Sequence, residues 1–181
     1  MFAPLMTADR RRSLDAGTPD ASTQAALDQL TPEVAFAHAK IADYDMAACS
    51  IAGVWLLHDF LDESHKLSQD IDTPSGSFWH AIMHRREGDF GNAKYWFRRV
   101  GRHPVFDSLG QRAAEMAAER GDVKIVEKLT PHGQWDPFAF VHFCEAAVRS
   151  RTDSRNLCID IQQAEWELLF DYCYRCALGE L

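Results

Sequence analysis

The residues best suited to chemistry in this sequence lie between positions 79 and 103. His80, His84 and Glu87 are separated by four and three residues. On an α-helix these spacings place the three side chains on one face, within about 60° of one another. Imidazole nitrogens and carboxylate oxygens are ligands that zinc accepts, and His65, on the preceding helix, is the predicted third nitrogen ligand. The pattern predicts a site for zinc or a similar divalent metal.

The same side chains have a second interpretation, which the sequence leaves open. His80 and His84 also suit a polar seam between helices, in which each ring is hydrogen-bonded to a neighbouring group and no metal is present. If a metal is bound, Glu87 or Glu63 is a third ligand or a general base, and Arg98 polarises an anionic substrate together with its basic neighbours. The sequence does not decide whether the chain is an enzyme.

The same stretch is a basic island in an acidic chain. Residues 75–104 contain six Lys or Arg and two Asp or Glu, a net charge of +4, whereas the whole chain carries −8. An acidic protein repels polyanions at long range, which argues against nucleic acid as a partner. The predicted partner is therefore a small anionic molecule or an acidic peptide.

Cations and aromatic rings in the basic island predict a ligand pocket. Arginine binds carboxylates and phosphates in bidentate fashion, and aromatic rings stack on flat ligands. The alternative is structural, because cations at the end of a helix favour its dipole and aromatic residues at helical spacing usually form core. The predicted ligand-binding residues are Trp79, Arg85, Arg86, Asn92, Lys94, Tyr95, Arg98 and His103.

Composition bounds the architecture. The chain has 181 residues, of which 46% are apolar and 25% charged, as expected for one globular domain. Residues 1–21 lack hydrophobic periodicity and predict a flexible N-terminal arm, which leaves 22–181 as a single domain. There is no apolar run near 18 residues and no secretory signal pattern, so we expect a cytoplasmic protein that does not enter a membrane.

Helix signals dominate the chain, and strand signals are missing from it. Thr31-Pro32, Thr73-Pro74 and Asp136-Pro137 each place a capping side chain before a proline at the first helical position. No long stretch alternates apolar and polar residues, so the sequence predicts an all-α fold. The predicted helices include 46–57, 61–71, 111–120, 123–129, 137–150 and 159–178, with a loop over 150–156.

The helices are predicted to pair as hairpins. Gly88-Asp89 and Gly121-Asp122 each combine a residue that ends one helix with one that caps the next, and His58-Asp59 is a weaker version of the same signal. The three aspartates are 30 and 33 residues apart, a spacing typical of helical repeats.

One hairpin resembles a known repeat. Glu87-Gly88-Asp89-Phe90, followed by Ala93, Phe97 and Pro104, resembles the turn and second helix of a tetratricopeptide repeat. The resemblance implies a short right-handed array of stacked hairpins that binds a peptide or protein and catalyses nothing. Residues 79–104 also resemble segments of uncharacterised proteins. Three functions stay open: binding of an anionic or polar ligand, metal-dependent catalysis, and a purely structural scaffold.

Overall fold

The computed structural model describes residues 2, 4–7, 11–150 and 154–181. All regular secondary structure in these residues is helical, which confirms the all-α prediction. Short 3₁₀ turns occur at Leu5–Thr7 and Pro131–Gly133. The α-helices are α1 (Gln24–Leu27), α2 (Pro32–Ala35), α3 (Tyr44–Leu57), α4 (Leu61–Gln69), α5 (Pro74–Glu87), α6 (Phe90–Val100), α7 (Val105–Glu119), α8 (Val123–Leu129), α9 (Pro137–Ser150) and α10 (Ser154–Leu178).

The predicted capping residues begin α2, α5 and α9. Thr31 and Thr73 each accept a hydrogen bond from the backbone N–H three residues later. Asp136 Oδ1 accepts two, from the N–H groups of the second and third residues after it. These bonds satisfy donors that the first turn of a helix leaves unpaired, so the three helices start where the sequence predicts.

The turn between α5 and α6 also follows its prediction. Gly88 is left-handed, with φ of 87°, and Asp89 caps α6 by accepting a hydrogen bond of 2.9 Å from the N–H of Asn92. At the turn between α3 and α4 the prediction was wrong, because Asp59 is not a cap. Its φ of 65° makes it the left-handed residue of that turn, and Phe60 stands between it and α4.

Several helix boundaries differ from the predicted ones. Helix α3 starts earlier because Asp43 accepts a hydrogen bond from the N–H of Met46, and α4 ends two residues earlier, at Gln69. Helix α7 starts at Val105, six residues before the predicted position, and its first turn follows His103. Residues 154–156 of the predicted loop belong to α10, whereas residues 151–153 lie outside the described residues.

Helix α5 lies at the centre of the packing. It contacts α3, α4 and α6, while α10 packs against α3, α7 and α9. Every side chain from Ser75 to Arg86 is buried, so α5 has no solvent-facing side over that length. The polar residues of this helix must therefore find their partners inside the protein.

The described part of the predicted arm is packed against the helices, which corrects the expectation of a flexible segment. Leu14 is buried, and Arg86 donates hydrogen bonds to the carbonyls of Asp15 and Ala16. Gln162 donates to the carbonyls of Arg12 and Ser13. Buried donors on two helices thus hold a segment that has no periodicity of its own. Among the described residues, no helix is long and apolar enough to cross a membrane.

Candidate metal centre

Three histidines from α4 and α5 converge on one point. One ring nitrogen from each of His65, His80 and His84 lies within 4.8 Å of the other two. The Nε2 atoms of His80 and His84 are 3.0 Å apart. Tetrahedral zinc, with Zn–N bonds of about 2.0–2.1 Å, holds its nitrogen ligands about 3.4 Å from one another. The separations of these nitrogens are close to those of a three-histidine zinc site.

The local sequence explains this convergence. His80 and His84 are one turn apart on α5, so their rings stack, with centroids 4.8 Å apart. Helix α4 packs along α5 and brings the His65 ring edge-on to His80, at 4.6 Å between centroids. Within the part of the chain that the structure describes, no other group of three His, Cys, Asp or Glu is arranged to hold a metal.

Glu87 sets the orientation of His84. The Nδ1–H of His84 donates to Glu87 Oε2 at 3.2 Å, which leaves the lone pair of His84 on Nε2, where it accepts a hydrogen bond of 3.0 Å from the Nε2–H of His80. A carboxylate behind a histidine ligand is the usual outer-shell arrangement of zinc sites. In this structure Glu87 is a hydrogen-bond partner of His84, and its predicted role as a metal ligand or general base stays a prediction.

An aromatic ring fixes the position of His80. The ring of Trp96, on α6, stacks on His80 with centroids 3.8 Å apart and an interplanar angle of 15°. The Arg99 guanidinium lies over the Trp96 ring, 5.2 Å from its centroid. His80 Nδ1 is buried and has no hydrogen-bond partner among the described residues. The protein thus holds this imidazole firmly but leaves one of its nitrogens unsatisfied.

Burial favours the neutral forms of His80 and His84. It lowers the pKa of His80 to about 3, and the neighbouring rings of His84 and His65 add to this effect. Burial also lowers the pKa of His84, although the Glu87 carboxylate opposes it. Neutral imidazole is the form that binds metals, so neither ring has to lose a proton before it coordinates at pH 7.

Glu63 is not placed to serve this cluster. It precedes His65 by two residues on α4, which turns the two side chains about 200° apart around the helix. Its predicted role as a ligand or general base is therefore corrected.

Arg85 is a structural residue. Its guanidinium is 1% exposed and forms a bidentate pair with Glu165 of α10, in which Nη1 lies 3.1 Å from Oε1 and Nη2 donates to Oε2. It also lies 4.6 Å from the centroid of the Phe140 ring. A buried cation must be paired, and Glu165 supplies the opposite charge for this one.

Arg86 is likewise committed to internal partners. Its Nη2 lies 2.5 Å from Asp59 Oδ1, and its Nη1 donates to the carbonyl of Leu56 at 2.9 Å. The same guanidinium donates to two carbonyls of the N-terminal segment. The predicted anion clamp of Arg85 and Arg86 was wrong, because each arginine is buried against a carboxylate from a distant part of the chain.

Three further predicted ligand-binding residues serve the fold. Trp79 is fully buried in the core. The buried ring of His103 accepts a hydrogen bond from the N–H of Val105 at Nδ1, so Nε2 carries the proton and donates to Ser75 Oγ at 3.1 Å. Burial lowers the pKa of His103 to about 4. Asn92 donates to Asp89 Oδ2 at 2.8 Å and so supports the start of α6.

The remaining predicted residues lie at or near the surface of α6. Tyr95 is 49% exposed, Lys94 is half-buried, and the exposed Arg98 has its guanidinium 6.0 Å from the centroid of the Phe138 ring. The basic island is thus divided between the interior and the surface, and does not form one pocket.

Trp96 is the functional residue that the sequence interpretation missed. No functional role is predicted for Trp96 from the sequence, but its ring covers His80. A signal was present, because His80 lies eight residues before Gly88 and Trp96 eight residues after it. Residues equally far from the turn of a helical hairpin lie side by side. Glu165 had no comparable signal, since 80 residues separate it from Arg85.

Comparisons with known proteins add nothing to this geometry. No protein family, no curated protein and no solved structure matches this chain. The interpretation of the site rests on its own residues.

Proposed function

We propose that this chain binds a divalent transition metal, with zinc as the best fit, through His65, His80 and His84. The convergence of three ring nitrogens within 4.8 Å is the observation that carries the proposal. Zinc accepts imidazole nitrogens as ligands. It has no redox chemistry and no geometric preference from its d electrons. The low pKa of His80 and the carboxylate behind His84 support the same assignment.

Three protein ligands leave one tetrahedral position for a ligand from outside the chain. Zinc sites with three protein ligands are typical of catalysis, whereas structural sites use four. His65 is only partly buried and Glu87 is 52% exposed, so the cluster lies near the surface rather than deep in the core. We propose that the open position accepts an oxygen of a small polar or anionic substrate, which the metal polarises as a Lewis acid.

The electrostatics around the cluster favour a dication. The nearest acids are Glu87, which holds His84, and Asp89, whose pKa is lowered by hydrogen bonds from Asn92. The lowered pKa favours the ionised form of Asp89, and a nearby negative charge offsets part of the charge that a metal brings.

The other proposals assign the chain to a repeat-type scaffold. Consecutive packing of α3 with α4, α4 with α5 and α5 with α6 supports a short tetratricopeptide-like array. The exposed Arg98, with the half-buried Lys94 beside it on α6, supports an acidic peptide as the partner. Neither of these proposals needs a metal. A cytoplasmic location of the chain is proposed in either case. Metal binding therefore separates the first proposal from the scaffold proposals.

Zinc titration of the metal-free, untagged chain tests the proposal, with a competing chelator to fix the affinity. We expect one zinc per chain and a higher melting temperature, because a metal that binds only the folded state stabilises it. His65→Gln and His84→Gln should each lower the affinity by more than the 10–100-fold loss typical of an outer-shell change. His142→Gln is the matched control, since His142 is an exposed histidine of α9 whose neighbour is Glu145.

Circular dichroism establishes that each variant is folded. Equal zinc affinity in wild type and in both ligand variants would place any bound metal elsewhere. A folded wild-type chain that binds no zinc, cobalt or manganese contradicts the proposal outright.

A further inference from the structure

A second site candidate lies outside the histidine cluster, in a cleft of 510 Å³. Its walls come from the connection between α6 and α7, including Arg102, and from the segment that leads into α9, including His132 and Trp135. None of the three clustered histidines lines it. The volume falls within the range of about 300–1,000 Å³ that is usual for small-molecule sites.

One cation that forms no ion pair among the described residues, Arg102, lines the cleft. Arg102 is exposed and has no ion pair among the described residues, unlike Arg99, which pairs with Asp72. Two acids also line the cleft: Asp107, in the first turn of α7, and Asp136. Asp136 Oδ1 is already used to cap α9. An unpaired guanidinium in a cleft favours a ligand with a carboxylate, which it binds with two parallel hydrogen bonds.

The apolar part of the cleft is aromatic. Phe106 and Trp135 are buried, and Phe138 is half-buried with the Arg98 guanidinium over its ring. The indole N–H of Trp135 is buried and has no acceptor among the described residues. Aromatic walls of this kind favour planar ligands, which stack on ring faces or edges.

The loop that carries His132 is held in an uncommon conformation. His132 is left-handed, with φ of 57°, although it is not a glycine, and its side chain is exposed. Such a conformation is strained and persists where the surrounding structure imposes it, often at binding sites. It places an exposed imidazole on the wall of the cleft.

We propose that this cleft binds a planar aromatic carboxylate, with the carboxylate on Arg102 and the ring against Phe138. The proposal does not depend on metal binding, because the two sites share no residue. Arg102 thus takes the anion-binding role that the sequence predicted for Arg85 and Arg86.

Calorimetric titration with 2-naphthoate tests the proposal, because this probe combines two fused rings with one carboxylate. We expect wild type to bind 2-naphthoate more tightly than cyclohexanecarboxylate, which has the charge without a flat ring. Arg102→Gln should weaken 2-naphthoate binding about tenfold, because the charge-assisted bidentate pair is lost. Phe138→Leu should reduce the preference for the aromatic probe and keep most of the carboxylate contact.

Lys40→Gln is the control, because it removes the same charge from an exposed position between α2 and α3. In ¹⁵N NMR spectra, the indole signal of Trp135, assigned with Trp135→Phe, should shift more than the other indole signals when 2-naphthoate is added. Absence of binding, equal binding by Arg102→Gln and wild type, or a Trp135 signal that does not move would each overturn the proposal.

Discussion

At the scale of single residues, the candidate metal centre depends on which nitrogen of each histidine is free. Glu87 accepts the Nδ1 proton of His84 and thereby directs the Nε2 lone pair toward His80. Trp96 fixes the plane of the His80 ring from the opposite helix of the hairpin. Glu87 and Trp96, which are not proposed as metal ligands, therefore orient the rings of His84 and His80.

The role of Glu87 leads to a first prediction. Glu87→Gln removes the charge that raises the basicity of His84 but keeps a side chain of the same length. We expect zinc affinity to fall about 10–100-fold in chelator competition, with the helical content unchanged. Glu63→Gln changes the same charge on the far side of α4 and should leave the affinity close to wild type. Equal losses in the two variants would show that the effect is a general electrostatic one.

The sequence made some of these residues predictable and hid the others. His80 and His84 lie on the same face of a helix whatever the tertiary structure is. Their spacing alone was therefore enough to predict that the two rings are neighbours. Arg85 and Arg86 form their ion pairs with Glu165 and Asp59, which only tertiary packing brings near. Because every residue of 75–86 is buried, α5 shows no amphipathic pattern that would have marked its arginines as internal.

At the scale of helices, close approach between α3 and α5 depends on glycine. A Cβ at Gly53 would lie 2.7 Å from the Trp79 ring, and the carbonyl of Gly53 accepts a hydrogen bond of 2.8 Å from Trp166 Nε1. Gly53 thus joins α3, α5 and α10 at one point. The ring of Trp79 cannot retreat easily, because it is fully buried.

We therefore expect Gly53→Ala to destabilise the protein by about 1–3 kcal/mol, the usual cost of overpacking a core. Gly91→Ala is the matched control, since a Cβ there meets only Asp89 Oδ1 at 3.4 Å and the position is exposed on α6. This control should be neutral or more stable by up to about 1 kcal/mol, because alanine favours a helix. Urea denaturation measures both changes, and equal effects would contradict the proposed role of the Gly53 contact.

Local signals determined most of the helix starts, and tertiary contacts determined the rest. The caps Thr31, Thr73 and Asp136 act on their own first turns, so the sequence was sufficient there. Helix α7 starts early because the first turn is anchored by buried His103, which bonds to Ser75 of α5. No local pattern reports a contact of that kind.

At the scale of the whole molecule, neutral histidines in the interior make stability depend on pH. The pKa of His103 is about 4 in the folded protein, against about 6.5 in an unfolded chain. Between these values the unfolded chain binds a proton that the folded protein does not bind. The free energy of unfolding therefore falls as the pH drops from 6.5 to 4, by up to about 1.4 kcal/mol per pH unit for this group.

His103→Asn tests this dependence. The amide oxygen can still accept the hydrogen bond from Val105, but the bond to Ser75 is lost, so stability at pH 7 should fall by about 1 kcal/mol. Because asparagine does not titrate, the variant should lose stability less steeply than wild type between pH 6.5 and pH 4. Urea denaturation at several pH values gives both slopes. Parallel curves for the two proteins would contradict a depressed His103 pKa.

Anomalous diffraction from crystals of the zinc-loaded chain, recorded on both sides of the zinc absorption edge, tests the metal centre most directly. The account predicts one strong peak about 2.0–2.1 Å from a ring nitrogen of each of His65, His80 and His84, with Glu87 still bonded to His84 Nδ1. A map without a peak between these three rings, or with its only peak at other residues, would contradict the central claim.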